Sequence, residues 1–209
     1  MAVSADSKAE NYKLVQANTG VNSLYWTFLE TLPNARTKVD SGLYRIKNKK
    51  SGLYLTVLDR QSTVNSSLVQ HSRYTSGDEI GFDVWDLEPA PYNLNAYMIK
   101  NPVSKLYMIN PISSSIGTDV CQGEKSYDGS CDWLLVPTGV ENEYRIKHSK
   151  TAHYAVVKDA STAENARVVK YYSNSTDNEI WVLEKAFYSD PIFSSCLLYT
   201  SPSPRDVEE

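Results

Sequence analysis

Long apolar runs are missing from this chain. No segment approaches the roughly 18 residues needed to cross a bilayer, and the opening MAVSADSKAENYK lacks the apolar stretch of a signal peptide. No membrane-spanning segment is expected, and the compartment stays open, cytoplasmic or secreted. A basic stripe is missing too: 21 Lys and Arg face 25 Asp and Glu, for a net charge of −4. The densest cluster, Lys47, Lys49 and Lys50, reads as a solvated strand edge, which disfavours nucleic acid as a partner. Cysteine is scarce, with three in 209 residues. Cys121 and Cys131 either form one bridge or remain thiols, and thiols are the favoured reading. There is no Gly-x-Ser-x-Gly elbow, phosphate-binding loop, His-Glu-x-x-His or zinc-spaced cysteine pair. Of the three histidines, His71, His148 and His153, the last two flank a turn. Neither a metal, a cofactor nor an enzymatic activity is expected.

What the chain does have is an internal repeat. GLYRIKNKKSGLYLTV from Gly42, NAYMIKNPVSKLYMIN from Asn95 and NEYRIKHSKTAHYAVV from Asn142 share Tyr-x-Ile-Lys, and a second Tyr follows the first by ten residues in each. Each reads as two short alternating strands around a turn. The second halves match as well: NSSLVQHS from Asn65, GTDVCQGE from Gly117 and NARVVKYY from Asn165. They lead to Trp85, Trp133 and Trp181, spaced 48 and 48 apart. Three units of about four short strands, with no helical period, predict a closed all-β architecture in which the repeats share one core. A single unit has too little apolar face to stand alone.

The Tyr-x-Ile openings, the Gly-Thr-x-Val or Asn-x-x-Val third strands and the closing Trp resemble the ricin-B-type β-trefoil lectin family, nearest its single-domain fungal-like members, over about 150 residues. The resemblance implies an all-β trefoil of three four-stranded repeats, about 42–90, 91–139 and 140–187. A Trp repeated at one strand position is read as core rather than as a sugar platform, and the same holds for Tyr44, Tyr97 and Tyr144.

The ends read differently. AENYKLVQ from Ala9 matches AENARVVK from Ala163, and LYWTFLE with Trp26 matches EIWVLEK. Residues 1–30 are thus expected to be the last half-repeat of a preceding trefoil, joined by a linker over 31–41, with the parent a tandem array. The alternative is an extension that pairs onto the single trefoil. In the 188–209 tail, CLLYTSPSPRD has no repeat counterpart and resembles a translated sequencing-library adapter, so 196–209 are read as artefactual.

For function, the resemblance implies a shallow sugar pocket in each repeat. Its parts are an Asp after the second strand, an aromatic ending the third and an Asn before the closing Trp. This chain departs from that pattern: the Asp position falls on Thr56, Ile109 and Val156, and the Gln of the family's Gln-x-Trp falls on Asp83, Cys131 and Glu179. Asp59 and Asp159 stand three residues further on, opposite Ile112 in the middle unit. The aromatic position holds His71, Gly123 and Tyr171, and the Asn position holds Phe82, Ser130 and Asn178. The expected carbohydrate-binding residues are Asp159, Tyr171, Asn178 and Glu179, with Asp59 and His71 contributing weakly, so binding is expected to be monovalent or nearly so per trefoil. Glycans or glycoproteins are the expected partners. The competing expectation is a protein-binding β-trefoil, protease-inhibitor-like or cytoskeleton-binding, that works through loops such as RYTSGDEIG at 73–81.

Overall fold

The computed structural model describes residues 2–3, 14–15, 39–75, 81–110, 115–151 and 153–186. The chain forms two compact units, Met1–Val39 and Asp40–Glu209. In the first, β1 (Ala2–Val3) pairs antiparallel with β2 (Leu14–Val15). Trp26, most of the segment read as a linker, and the 188–209 tail lie outside the described residues.

The second unit holds three sets of four strands. The first set is β3 (Gly42–Asn48), β4 (Tyr54–Val57), β5 (Leu68–His71) and β6 (Val84–Pro89). The second is β7 (Tyr97–Lys100), β8 (Tyr107–Ile109), β9 (Cys121–Gly123) and β10 (Asp132–Pro137). The third is β11 (Glu143–His148), β12 (Tyr154–Val157), β13 (Val168–Tyr171) and β14 (Ile180–Lys185). The outer strands of each set join antiparallel into a ring: β3 with β6, β6 with β7, β7 with β10, β10 with β11, β11 with β14, and β14 back to β3. The inner strands of each set form a hairpin off that ring. Closure removes the free edges that six short strands would otherwise expose. This is a β-trefoil, the all-β fold expected from the repeat.

Strand alternation fills the barrel. Ile46, Ile99, Ile146, Leu87, Leu135 and Leu183, one from each ring strand, are buried together with Trp85, Trp133 and Trp181. The three tryptophans are 0% exposed, and each indole Nε1–H donates at 2.9 Å to a hairpin carbonyl, that of Leu55, Met108 or Ala155. One residue type thus supplies both the apolar volume and the hydrogen bond that ties hairpin to barrel.

The hairpins meet one another through backbone bonds such as Leu68 N–H to Val120 O and Val120 N–H to Val168 O, both 2.9 Å or shorter. Buried glutamines add ties between repeats: Gln70 Nε2 donates to the carbonyls of Ser161 and Ala163, and Gln122 Nε2 to those of Gln61 and Thr63. The residue three or four positions before each third strand, Asn65, Gly117 or Asn165, has φ of 65°, 84° or 60°. Asn and Gly tolerate this left-handed geometry best, which accounts for their recurrence there.

Candidate functional site

Each set of four strands is one repeat unit of the trefoil, and the third of these repeat units carries a cavity of about 290 Å³. Val156, Val157 and Val169 line it with apolar surface; Lys158, Asp159, Ala160, Tyr171, Asn174 and Asn178 complete it with Gly117, which belongs to the second unit. The 3-10 turn Lys158–Ala160 presents Asp159 with φ of 54° and ψ of 21°, and the carboxylate is exposed. Asp159 makes no hydrogen bond or ion pair among the described residues, so both oxygens are available to a ligand. Tyr171 ends β13 with 47% of its surface exposed and meets Tyr172 edge to face, with ring centroids 6.5 Å apart. The structure therefore brings Asp159, Tyr171 and Asn178 to one cavity.

Their roles differ from those the sequence suggests. Asn178 is 2% exposed; its Nδ2 donates to Val157 O at 2.9 Å and its Oδ1 accepts from the Thr176 hydroxyl. Its amide braces the wall. The neighbouring amide that sequence reasoning missed is Asn174: its Oδ1 accepts from Thr176 N–H at 3.2 Å, which leaves Nδ2 as a donor at the cavity.

Glu179 does not line the cavity. Its carboxylate is 0% exposed and accepts from Arg145 Nε at 2.7 Å, Ser173 Oγ at 2.8 Å, Asn174 N at 2.9 Å and Ser175 N at 3.1 Å. With its acceptors filled from inside, Glu179 positions the 173–176 loop that carries Asn174, and it offers nothing to a sugar directly. The middle unit anchors the corresponding loop without a buried ion pair. Cys131 replaces Glu179 and accepts from Ser126 N at 3.4 Å, while Met98 replaces Arg145. Cys121 and Cys131 are free thiols, and burial pushes both above the ordinary thiol range.

The first unit keeps the charge pair and loses the space. Arg45 Nε donates to Asp83 Oδ2 at 3.2 Å, and burial raises the Asp83 carboxyl above its ordinary range against the pull of Arg45. Asp59 sits on an equivalent left-handed turn, with φ of 50°, and is exposed. Tyr74, which corresponds to Asn174, is buried, stacks on His71 with centroids 4.9 Å apart, and reaches Thr56, the counterpart of the cavity-lining Val156. The tyrosine thus occupies the volume that is open in the third unit. His71 is held further by Ser72 O at 2.9 Å and by Glu164 at 3.3 Å, so its ring is engaged within the fold. In the middle unit Gly123 supplies no ring, and the Ile109 side chain lies where even a Cβ on Gly123 would meet it at 2.6 Å. Ile112 lies outside the described residues.

Six strands closed into a three-fold ring with three hairpins off it, tied by a buried Trp in every repeat, define the class as a β-trefoil. Residues 22–123 match the family model described as "Ricin-type beta-trefoil lectin domain-like". Among solved structures the chain is similar to the designed three-fold symmetric protein ThreeFoil, with 25% identity and a TM-score of 0.62 over 69% of this chain and 99% of that one. It is also similar to the Macrolepiota procera ricin B-like lectin solved in complex with lactose, with 19% identity and a TM-score of 0.57 over 72% and 100%. The Rhizoctonia solani agglutinin shows 18% identity and a TM-score of 0.58 over 71% and 97%. No curated protein matches the chain by sequence.

Proposed function

We propose that this protein is a non-catalytic lectin whose third repeat holds one sugar residue. The observation that carries this reading is the third-unit cavity, with valine walls, a half-exposed Tyr171 ring, the free Asp159 carboxylate and the Asn174 amide. A pyranose has an apolar C–H face and a rim of hydroxyls. The ring takes the first by stacking, and a carboxylate accepting from two hydroxyls fixes the second. At about 290 Å³ the cavity lies at the small end of ligand sites, which favours a single sugar over a large ligand. The lactose-bound Macrolepiota procera lectin supports the same ligand class.

A glycan array followed by titration of the strongest hit tests the reading. Tyr171→Ala is expected to weaken binding by about 1–3 kcal/mol, the usual worth of a stacked ring, with an unchanged melting temperature. Asp159→Asn should weaken binding as well, whereas Asp59→Ala should leave it near wild type. Unaltered affinity in the Tyr171→Ala variant would remove the third-repeat assignment.

A further inference from the structure

The flank of the second unit carries aromatic surface that none of the cavity residues shares. Tyr92, in the connection from β6 to β7, is 83% exposed, and Leu94 two residues on is 91% exposed. Tyr127, in the connection from β9 to β10, is 60% exposed. The Tyr92 and Tyr127 rings meet edge to face, with centroids 5.7 Å apart and planes at 77°. Large apolar side chains held out together mark a contact surface.

Both loops are braced. Ala96 N–H donates to Asn93 O at 2.9 Å and Ala90 N–H to Ala96 O at 3.0 Å beneath Tyr92. Beside Tyr127, Asp128 Oδ1 accepts from Ser130 N at 2.8 Å, and its own N–H donates to Ser126 Oγ at 3.3 Å. Polar groups adjoin the rings. Lys125 Nζ stands 5.7 Å from the Tyr127 centroid and 5.4 Å from that of Tyr107. Glu88 lies 3.5 Å from Lys125 and 3.6 Å from Lys100, and accepts from the Tyr107 hydroxyl at 3.1 Å.

We infer that the Tyr92–Tyr127 corner, with Lys125 and Glu88 at its edge, is a second sugar-binding surface. One ring gives a stacking floor and the other, nearly perpendicular, a wall, while the ammonium and carboxylate serve the hydroxyl rim of a pyranose. A stable protein partner calls for roughly 800 Å² and 20–30 residues on each side, far more than these few side chains supply. The inference does not rest on the third-repeat cavity. With both surfaces in use, one trefoil bridges two glycans and cross-links without dimerising.

The test is a printed array of neutral and acidic glycans probed with the labelled full chain. The variants are Tyr171→Ala, the double variant Tyr92→Ala/Tyr127→Ala, and the triple variant combining them, with thermal melts as a check of folding. Tyr171→Ala is expected to retain a subset of signals that the triple variant loses by about tenfold or more, as expected for lost stacked rings. Wild-type signals throughout in the double variant overturn the inference and leave the cavity reading intact. If every wild-type signal survives Tyr171→Ala and vanishes in the double variant, the inference is upheld and the cavity reading is removed. A wild type that binds no glycan removes both. Self-association of the wild type in ultracentrifugation, abolished by the double variant, reassigns the corner to a second copy of the chain and overturns the inference.

Discussion

Replacing Glu179 with Ala removes one carboxylate and strands four donors. Those donors are Arg145 Nε, Ser173 Oγ and the N–H groups of Asn174 and Ser175, at 2.7 to 3.1 Å. Breaking a buried ion pair from one side costs about 3–5 kcal/mol because the remaining charge has no partner. Arg145 is 24% exposed and the 173–175 residues are exposed, so water relieves part of that loss and the low end, about 3 kcal/mol, is expected. For a domain of this size each kcal/mol moves the melting temperature by about 2–4 °C, giving a fall of about 6–12 °C. Glu179→Gln keeps the shape and one acceptor and should cost about half as much. The compensated variant Arg145→Met/Glu179→Cys, which copies Met98 and Cys131 of the middle unit, should recover most of the stability, since removing both charges is often neutral. It should still bind glycan more weakly, because a thiol anchors the Asn174 loop less firmly than a carboxylate. Thermal melts and array titration of the three variants decide the matter. A Glu179→Ala protein that melts within about 2 °C of wild type would refute the positioning role.

Trp133→Ala should cost about 3–5 kcal/mol by chemical denaturation, as for other buried large aromatics, despite lying in the unit with no ring or carboxylate at its pocket; a stable variant would overturn the core assignment. Burial holds His148 below its ordinary value of 6.5, so the unfolded chain binds the proton first and stability should fall as pH drops below about 6.5. Asn48 and Asn101 fill the same place in the other units, each donating to two carbonyls. His148→Asn should therefore reduce the loss of stability between pH 7 and 5, leaving the contribution of His153, which burial also holds below its ordinary value, and an unchanged acid slope in denaturant titrations would count against this. Residues 40–187, which contain the whole ring, should unfold cooperatively by circular dichroism when expressed alone; a molten fragment would show that residues 1–39 are needed.

The barrel was legible because its core positions repeat: Tyr-x-Ile and Trp fall at matching intervals, and burial selects the same residue type three times. The site was legible only in part. Asp159, Tyr171 and Asn178 reach one cavity because equivalent positions of a repeat stay equivalent in space. Which way each side chain turns is a different matter. Asn178 and Glu179 face inward because unpaired backbone groups and Arg145 lie there, and no spacing rule encodes that competition. Tyr74 closing the first unit had a signal, since an aromatic stands where the third unit has the small amide Asn174. Reading it required knowing that this position looks into the pocket.

The last barrel strand returns to the first: Ala186 N–H donates to Leu43 O at 2.8 Å, and Lys185 Nζ lies 3.7 Å from Asp40. Entry and exit of the trefoil therefore meet at one seam, chemically like the seams between its own repeats. Where the backbone is cut matters little to such a ring. A circular permutant that joins 187 to 40 through a short linker and opens between the first and second units, near 90–95, would keep every barrel pairing. The same seam lets the domain be strung onto another chain at a single point of attachment.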